Sequence, residues 1–146
     1  MKNFRSITIM LGSMMLCLVI FGTSIAKGQD KAALMKRGGE VYKAYCQTCH
    51  QPTGMGLPNV YPPLAGSDYI KNSPKATIID NVSNGLKGSI TVNGKKFNNV
   101  MVPLPANYTN DDAAAAITYV LNSWGNNGGV VTAAEVKKVR KVAAKK

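Results

Sequence analysis

Hydrophobic and polar positions follow several distinct periods along this 146-residue chain. A mostly apolar run from Ile7 to Ile25 comes after two basic residues, Lys2 and Arg5. From Lys31 to Tyr45, the residues Leu34, Met35, Gly38, Val41, Tyr42 and Tyr45 recur at steps of three and four, which predicts an amphipathic helix with one apolar stripe. The period is lost between His50 and Gly66. There Pro52, Gly54, Gly56, Pro58, Pro62, Pro63 and Gly66 predict an irregular loop. A second helix is expected from Pro74 to about Asn84, with Ser73 as N-cap, Pro74 at the first helical position and Gly85 just past the end. Ile90-Thr91-Val92 and Lys96-Phe97 flank Asn93-Gly94, a dipeptide that tolerates the positive φ of a type I′ turn, so a small β-hairpin is expected. Thr109 and Asp112 form a capping-box pattern for a helix reaching Trp124, with Gly125 as its stop. Thr132 and Glu135 repeat that pattern ahead of Val136, Val139 and Val142 at helical spacing, predicting a short basic helix packed back on the domain through Val136 and Val139, the less favoured alternative being contact of this tail with anionic lipid or a redox partner.

The length suits one domain and is too short for two ordinary ones. Residues 1–26 read as an export signal: basic residues, an apolar stretch, and Ser24-Ile25-Ala26 at the spacing a signal peptidase reads. Cleavage after Ala26 is the first choice, and Ala26-Lys27-Gly28 offers a second small-x-small site. The alternative is an uncleaved anchor, since about 19 residues approach a membrane-spanning length. Gly12, Ser13, Gly22, Thr23 and Ser24 dilute that stretch, so the anchor is not favoured. The chain therefore divides into the leader, a domain from about Gln29 to Asn127, and a basic C-terminal helical tail, 128–146.

The formal charge is +11, but export argues against nucleic acid as the partner. Setting Lys2 and Arg5 aside leaves +9, of which the stretch from Asn127 onward carries +5. The domain itself is only mildly basic. Lys71, Lys75, Lys87, Lys95 and Lys96 are candidates for steering it toward an acidic patch on a partner protein, the alternative being ordinary solvated lysines.

The chemistry is concentrated in Cys46-Gln47-Thr48-Cys49-His50. Two thiols three positions apart can add to the two vinyl groups of a haem, and the adjoining imidazole then lies under the iron as an axial ligand. This reads as one covalently attached c-type haem. A closed zinc site wants four Cys or His ligands, and outside the leader the chain has only Cys46, Cys49 and His50. A dithiol redox centre belongs beside a βαβ pattern, and none is visible. Export agrees with the motif, because thiol attachment chemistry suits the oxidising side of a bacterial membrane. With both thiols consumed no disulfide remains, so the haem itself must complete the core of a small domain.

These features together resemble class I cytochromes c over essentially the whole predicted mature chain. Gly38-x3-Tyr42-x3-Cys46-x2-Cys49-His50 is similar to that family's first helix, in which a glycine lets the last helix, here Asp111 to Trp124, cross closely. Pro62-Pro63-Leu64-Ala65-Gly66 resembles the family's Pro-x-Leu-x-Gly segment. The resemblance implies that the Pro62 carbonyl accepts a hydrogen bond from the non-ligating nitrogen of His50. It also implies an all-α class I cytochrome c fold, three to five helices around one covalent haem with a small β-hairpin. Tyr61 to Asp68, Val92-Asn93-Gly94 and Tyr119 to Asn126 look more narrowly like the monohaem domains found free or appended to copper nitrite reductases and periplasmic dehydrogenases.

The second axial ligand has few candidates. His50 is the only histidine, and outside the leader the methionines are Met35, Met55 and Met101. Five extended residues span at most about 17 Å, barely enough to circle a haem edge, which disfavours Met55. Met101 stands in a proline-rich stretch ahead of the last helix, where the family's ligand methionine falls; the alternative is a core methionine. Many relatives put proline directly after that ligand, whereas this chain has Val102 before Pro103. His50 and Met101 on one iron leave no open position, which fits single-electron transfer rather than catalysis. Tyr61, Tyr69, Phe97, Tyr108, Tyr119 and Trp124 are read as packing around the pocket. The expected function is an exported, periplasmic electron carrier serving redox partner proteins. The alternatives are a dedicated haem subunit of a larger dehydrogenase or nitrite reductase complex and a five-coordinate haem that binds gas or turns over peroxide.

Overall fold

A computed structural model describes residues 30–141; the leader, Val142 and the final lysines lie outside the described residues. Helix α1 (Lys31–Val41) is capped by the Asp30 carboxylate, which accepts from the Ala32 N–H at 3.1 Å. It buries Leu34, Gly38 and Val41, the stripe its period predicts. The helix does not stop there. It passes through one π-helical segment (Tyr42–Cys46) into a last α turn, α2 (Gln47–His50), and ends where Gln51 takes φ +61°. An i→i+5 turn inserts an extra residue and rotates all that follows, so the Cys-x-x-Cys-His run is displaced from the face that the first eleven residues would have set.

Residues 51–66 form the expected loop, closed by its own backbone. The Gly56 N–H donates to the His50 carbonyl at 3.0 Å, and the Gly54 carbonyl accepts from Leu64 and Ala65 at 2.7 and 2.9 Å. A short helix the periodicity does not announce follows, α3 (Asp68–Asn72), with the Ser67 hydroxyl accepting from the Ile70 N–H. Helix α4 (Lys75–Asn84) then begins one residue later than the sequence predicts. Ser73 closes α3 instead of capping α4, and Pro74, with ψ at 140°, takes the N-cap position outside the helix. Gly85 is the stop, as expected.

The hairpin pairs β1 (Ile90–Val92) with β2 (Lys95–Phe97) in the register Ile90↔Phe97, Thr91↔Lys96, Val92↔Lys95, so the second strand starts one residue early. Asn93 and Gly94 both have positive φ, as the turn requires. Asn93 also exchanges two hydrogen bonds with Asp68, at 2.7 and 2.9 Å, fixing the hairpin to the start of α3.

Helix α5 (Asn110–Leu121) carries the full Thr109–Asp112 capping box. It ends three residues before Trp124. Asn122 and Ser123 donate side-chain hydrogen bonds to the Thr118 and Tyr119 carbonyls at 2.7 Å each, and the Gly128 N–H takes the Leu121 carbonyl, so the last turn is satisfied without continuing. Trp124, at φ +52°, turns back to pack with its ring centroid 5.0 Å from Tyr42 and 5.5 Å from Tyr119. Helix α6 (Ala133–Val139) has its own capping box and buries Val136 completely, while Val139 packs against the same core.

The core lies where α1 crosses α5. A Cβ on Gly38 would collide with the Ala115 carbonyl oxygen and come within 2.6 Å of the Tyr119 Cβ, so only glycine permits this approach. Ala113, Ala114, Ala116 and Ile117 on α5 are buried among Val41, Ile78, Ile79 and Val136. At the rim Arg37 bridges the two helices, 2.7 Å from Asp112. The fold is mostly helical, with the one small sheet among the described residues.

Candidate haem site

Beside this core the elements surround a largely apolar cavity of about 470 Å³. Cys46, Cys49 and His50 form part of its wall; Pro62, Ile78, Val82 and the buried Val92 and Phe97 form others. The loop after the hairpin contributes Met101. Every site residue read from the sequence therefore borders one space.

His50 is buried, and its Nδ1 lies 3.1 Å from the Pro62 carbonyl oxygen. A carbonyl can only accept, so Nδ1 carries the proton and Nε2 keeps its lone pair. Burial pushes the imidazole pKa below its usual value, and the Pro62 contact offsets part of that shift. The result at neutral pH is a neutral ring with a defined tautomer, the form that binds a metal. Gly56 makes this possible. It sits in the left-handed region at φ +65°, and any Cβ there would overlap the Tyr61 carbonyl, which accepts from the Leu57 N–H, and the Pro62 carbonyl that faces the histidine.

Burial, with Cys49 beside it, drives the Cys46 thiol up to about 11, so it lacks the thiolate character of a dithiol redox centre. Among the described residues no group of three His, Cys, Asp or Glu side chains is placed to hold a metal ion, whereas a closed zinc site wants four ligands. A broad apolar group that takes two thiols and an imidazole fits this donor set and this lining.

The comparisons with known proteins agree with the geometry. The cytochrome c family model matches residues 35–124. The chain belongs to the cytochrome c family. Members bind haem c covalently and carry electrons, so the two thiols of this cytochrome stand at the family's attachment spacing. A cytochrome c-552 of Thermus thermophilus is 35% identical over 116 residues, covering 74% of this chain and 78% of that protein. A second Thermus thermophilus cytochrome c-552 is 36% identical over 111 residues, 70% of this chain and 83% of the relative. The cytochrome c subunit of a quinone alcohol dehydrogenase from Gluconobacter oxydans is 30% identical over 128 residues, 80% of this chain but only 26% of that subunit.

Met101 is the one described methionine that borders the cavity. Met55 is 61% exposed, and Met35 on α1 does not reach the lining. The Met101 backbone pairs with Leu86 in both directions, N–H to carbonyl at 2.9 Å each way, which ties its loop to the chain leaving α4. Three supports of the site were not legible in the sequence. The Tyr45 hydroxyl donates to the Pro103 carbonyl at 2.9 Å, Asn99 donates to the Val60 carbonyl at 3.0 Å, and the buried Asn81 donates to the Tyr69 hydroxyl at 3.0 Å on the cavity wall. Each joins segments 12 to 58 positions apart, a juxtaposition that no local pattern records.

Of the aromatic residues read as pocket packing, Tyr61, Tyr69 and Phe97 line the cavity. Tyr108, Tyr119 and Trp124 do not. Tyr119 and Trp124 cluster with Tyr42 at the helix crossing, and Tyr108 lies at a tilt against Tyr45, 6.1 Å between ring centroids. Lys75 also departs from the steering role. Its ammonium is 2.8 Å from Glu135 and 3.2 Å from the Val130 carbonyl, so it fastens α6 to α4, while Lys71, Lys87, Lys95 and Lys96 are exposed. No helix among the described residues is long and apolar enough to cross a membrane.

Proposed function

We propose that this chain is an exported monohaem electron carrier, attached to haem c through Cys46 and Cys49, with His50 and Met101 as the two axial ligands. The observation that carries the reading is that the His50 imidazole, fixed in the Nε2-lone-pair tautomer by the Pro62 carbonyl, and Met101 border the same apolar cavity. Haem c held this way supplies one reversible electron. The protein's own residues set the terms of that exchange. A thioether from Met101 and an apolar wall both favour the ferrous state and raise the reduction potential. With both ligands in place no coordination position is left for oxygen, peroxide or nitrite, which argues for a carrier and against a five-coordinate catalyst. Residues 1–26 direct the chain to the periplasm in this reading, and Lys71, Lys87, Lys95 and Lys96 steer it toward acidic patches on redox partners.

The test is the absorption spectrum of the haem-loaded protein, oxidised and reduced, with and without carbon monoxide, for wild type and Met101→Ala. A weak far-red sulfur-to-iron band and indifference to carbon monoxide, both lost in the variant, are expected. Ready carbon monoxide binding by wild type would refute Met101 ligation. Similarity to the dehydrogenase's cytochrome c subunit supports a second reading, a dedicated haem subunit of a larger complex. Comigration of the native protein with a dehydrogenase activity would favour it.

A further inference from the structure

We propose that Arg140 is a positioning residue for the Met101 loop, acting at the centre of a C-terminal strap, residues 139–141, that grips both flanks of that loop. The proposal rests on the reading of Met101 as the axial ligand.

One flank is the chain leaving α4. The Asn84 side chain donates to the Val139 carbonyl at 3.0 Å and accepts from the Lys141 N–H at 2.8 Å, so the strap is docked on the residue two positions before Leu86. Leu86 is the backbone partner of Met101. The other flank is the stretch that follows Met101. Between those two contacts the strap turns the Arg140 side chain inward, and its guanidinium donates to the carbonyls of Leu104 at 3.0 Å, Pro105 at 2.9 Å and Tyr108 at 2.8 Å, with Asn110 Oδ1 at 3.5 Å. Leu104 is three residues from Met101, so this anchor limits how far the Met101 backbone can stray to about 10 Å.

The chemistry suits a brace better than a solvated charge. A planar fork with several donors can hold carbonyls from different turns of one loop at once, which a single ammonium cannot. The Arg140 Nε is buried without a hydrogen-bond partner, a desolvation penalty that an exposed basic residue does not bear. The strap is itself held in register by the buried Val136 and by the Lys75–Glu135 pair. Without the fork the loop keeps the Leu86 pairing, the Tyr45–Pro103 hydrogen bond and the bond from the Leu104 N–H to the Val82 carbonyl at 2.9 Å, but the carbonyls of Leu104, Pro105 and Tyr108 lose their side-chain clamp.

The experiment uses the haem-loaded full chain and follows displacement of Met101 by added imidazole, read as loss of the far-red sulfur-to-iron band, across a series of sub-denaturing urea concentrations. Arg140→Met should speed displacement about tenfold, the loss of a set of charge-assisted hydrogen bonds, with little urea dependence because the opening is local. Arg140→Lys should fall between the two, about threefold faster than wild type. An unchanged displacement rate in Arg140→Met, whatever happens to its urea midpoint, overturns the proposal and leaves Met101 ligation standing. If Arg140→Met yields no haem-loaded protein, Arg140→Lys decides, and an unchanged rate there overturns it equally. A wild-type protein without the band, unaltered by Met101→Ala, defeats the ligand reading and the brace together.

Discussion

Replacing Gly38 with alanine inserts a methyl group where α1 and α5 have no room for one. Built on the backbone, the new Cβ overlaps the Ala115 carbonyl oxygen and lies 2.6 Å from both the Ala115 carbonyl carbon and the Tyr119 Cβ. Two of these obstacles are backbone atoms inside a helix, so rotamer changes cannot clear them. The axes must separate. Alanine gains about 1 kcal/mol over glycine in helix propensity, whereas overpacking of this kind costs about 1–3 kcal/mol, the upper end applying to backbone obstacles. Gly38→Ala should therefore lose about 2 kcal/mol, roughly 8 °C or more in Tm for a domain of this size. Gly39→Ala is the internal control, because its Cβ would meet only the Tyr119 ring edge at 3.2 Å, an atom that can give way. Its effect should stay within about 0.5 kcal/mol or be mildly stabilising. The assay is thermal and urea unfolding of the haem-loaded protein by far-ultraviolet circular dichroism. If Gly38→Ala were as stable as Gly39→Ala, the close crossing of α1 and α5 would be wrong, and with it the placement of the segment that carries Cys46, Cys49 and His50.

Val136→Ala removes two buried methyl groups from the contact between α6 and the core and should cost about 2 kcal/mol in the same unfolding assay; a loss below about 0.5 kcal/mol would mean that α6 is only loosely docked. Glu135 is held down at about 2 by the Lys75 ammonium and then by the Thr132 cap. A carboxylate depressed in the folded state stabilises fully above its usual pKa, so this contribution should fade as pH falls from about 4.5 toward 2. The side chain is 34% exposed, so screening limits the effect to about 0.5–1 kcal/mol. Glu135→Gln should lower Tm slightly at pH 7 and flatten the profile over that window, and an unaltered profile would refute the pairing.

The features legible in the sequence are those whose cause is local. Thr109–Asp112 and Thr132–Glu135 are reciprocal hydrogen bonds within four residues, so both helix starts could be read and both are found. Asn93-Gly94 fixed the hairpin by its need for positive φ. Cys46, Cys49 and His50 declared the cofactor because their spacing is itself the chemistry. What escaped depends on contacts from elsewhere. The five residues of α3 are too few to show a period, and the helix owes its place to Ser67 capping and the Asp68–Asn93 exchange. The early end of α5 reflects Asn122, whose amide reaches both Thr118 and Gly129 and so turns the chain toward α6. The π segment leaves no mark in an apolar period of three and four, although it re-aims the attachment residues.

The two proposed axial ligands are held by different means, and the difference predicts which side of the haem yields first. His50 closes a nearly continuous helical run, is buried, and is oriented by a carbonyl twelve residues away within a loop closed by its own hydrogen bonds. Its orientation comes from its own segment and the loop that follows, while the α1–α5 crossing sets where that segment lies. Met101 lies on a stretch without helix or strand, between Val100 and Val102, both more than half exposed, and its position depends on Leu86, Tyr45 and Arg140 from three separate parts of the chain. Local openings follow the weakest set of contacts, so the methionine side should detach while the helices and the histidine side remain folded. A carrier gains from that asymmetry: the attachment face stays rigid, keeping reorganisation small as the electron arrives and leaves, while the sulfur face is the one that distant residues can tune.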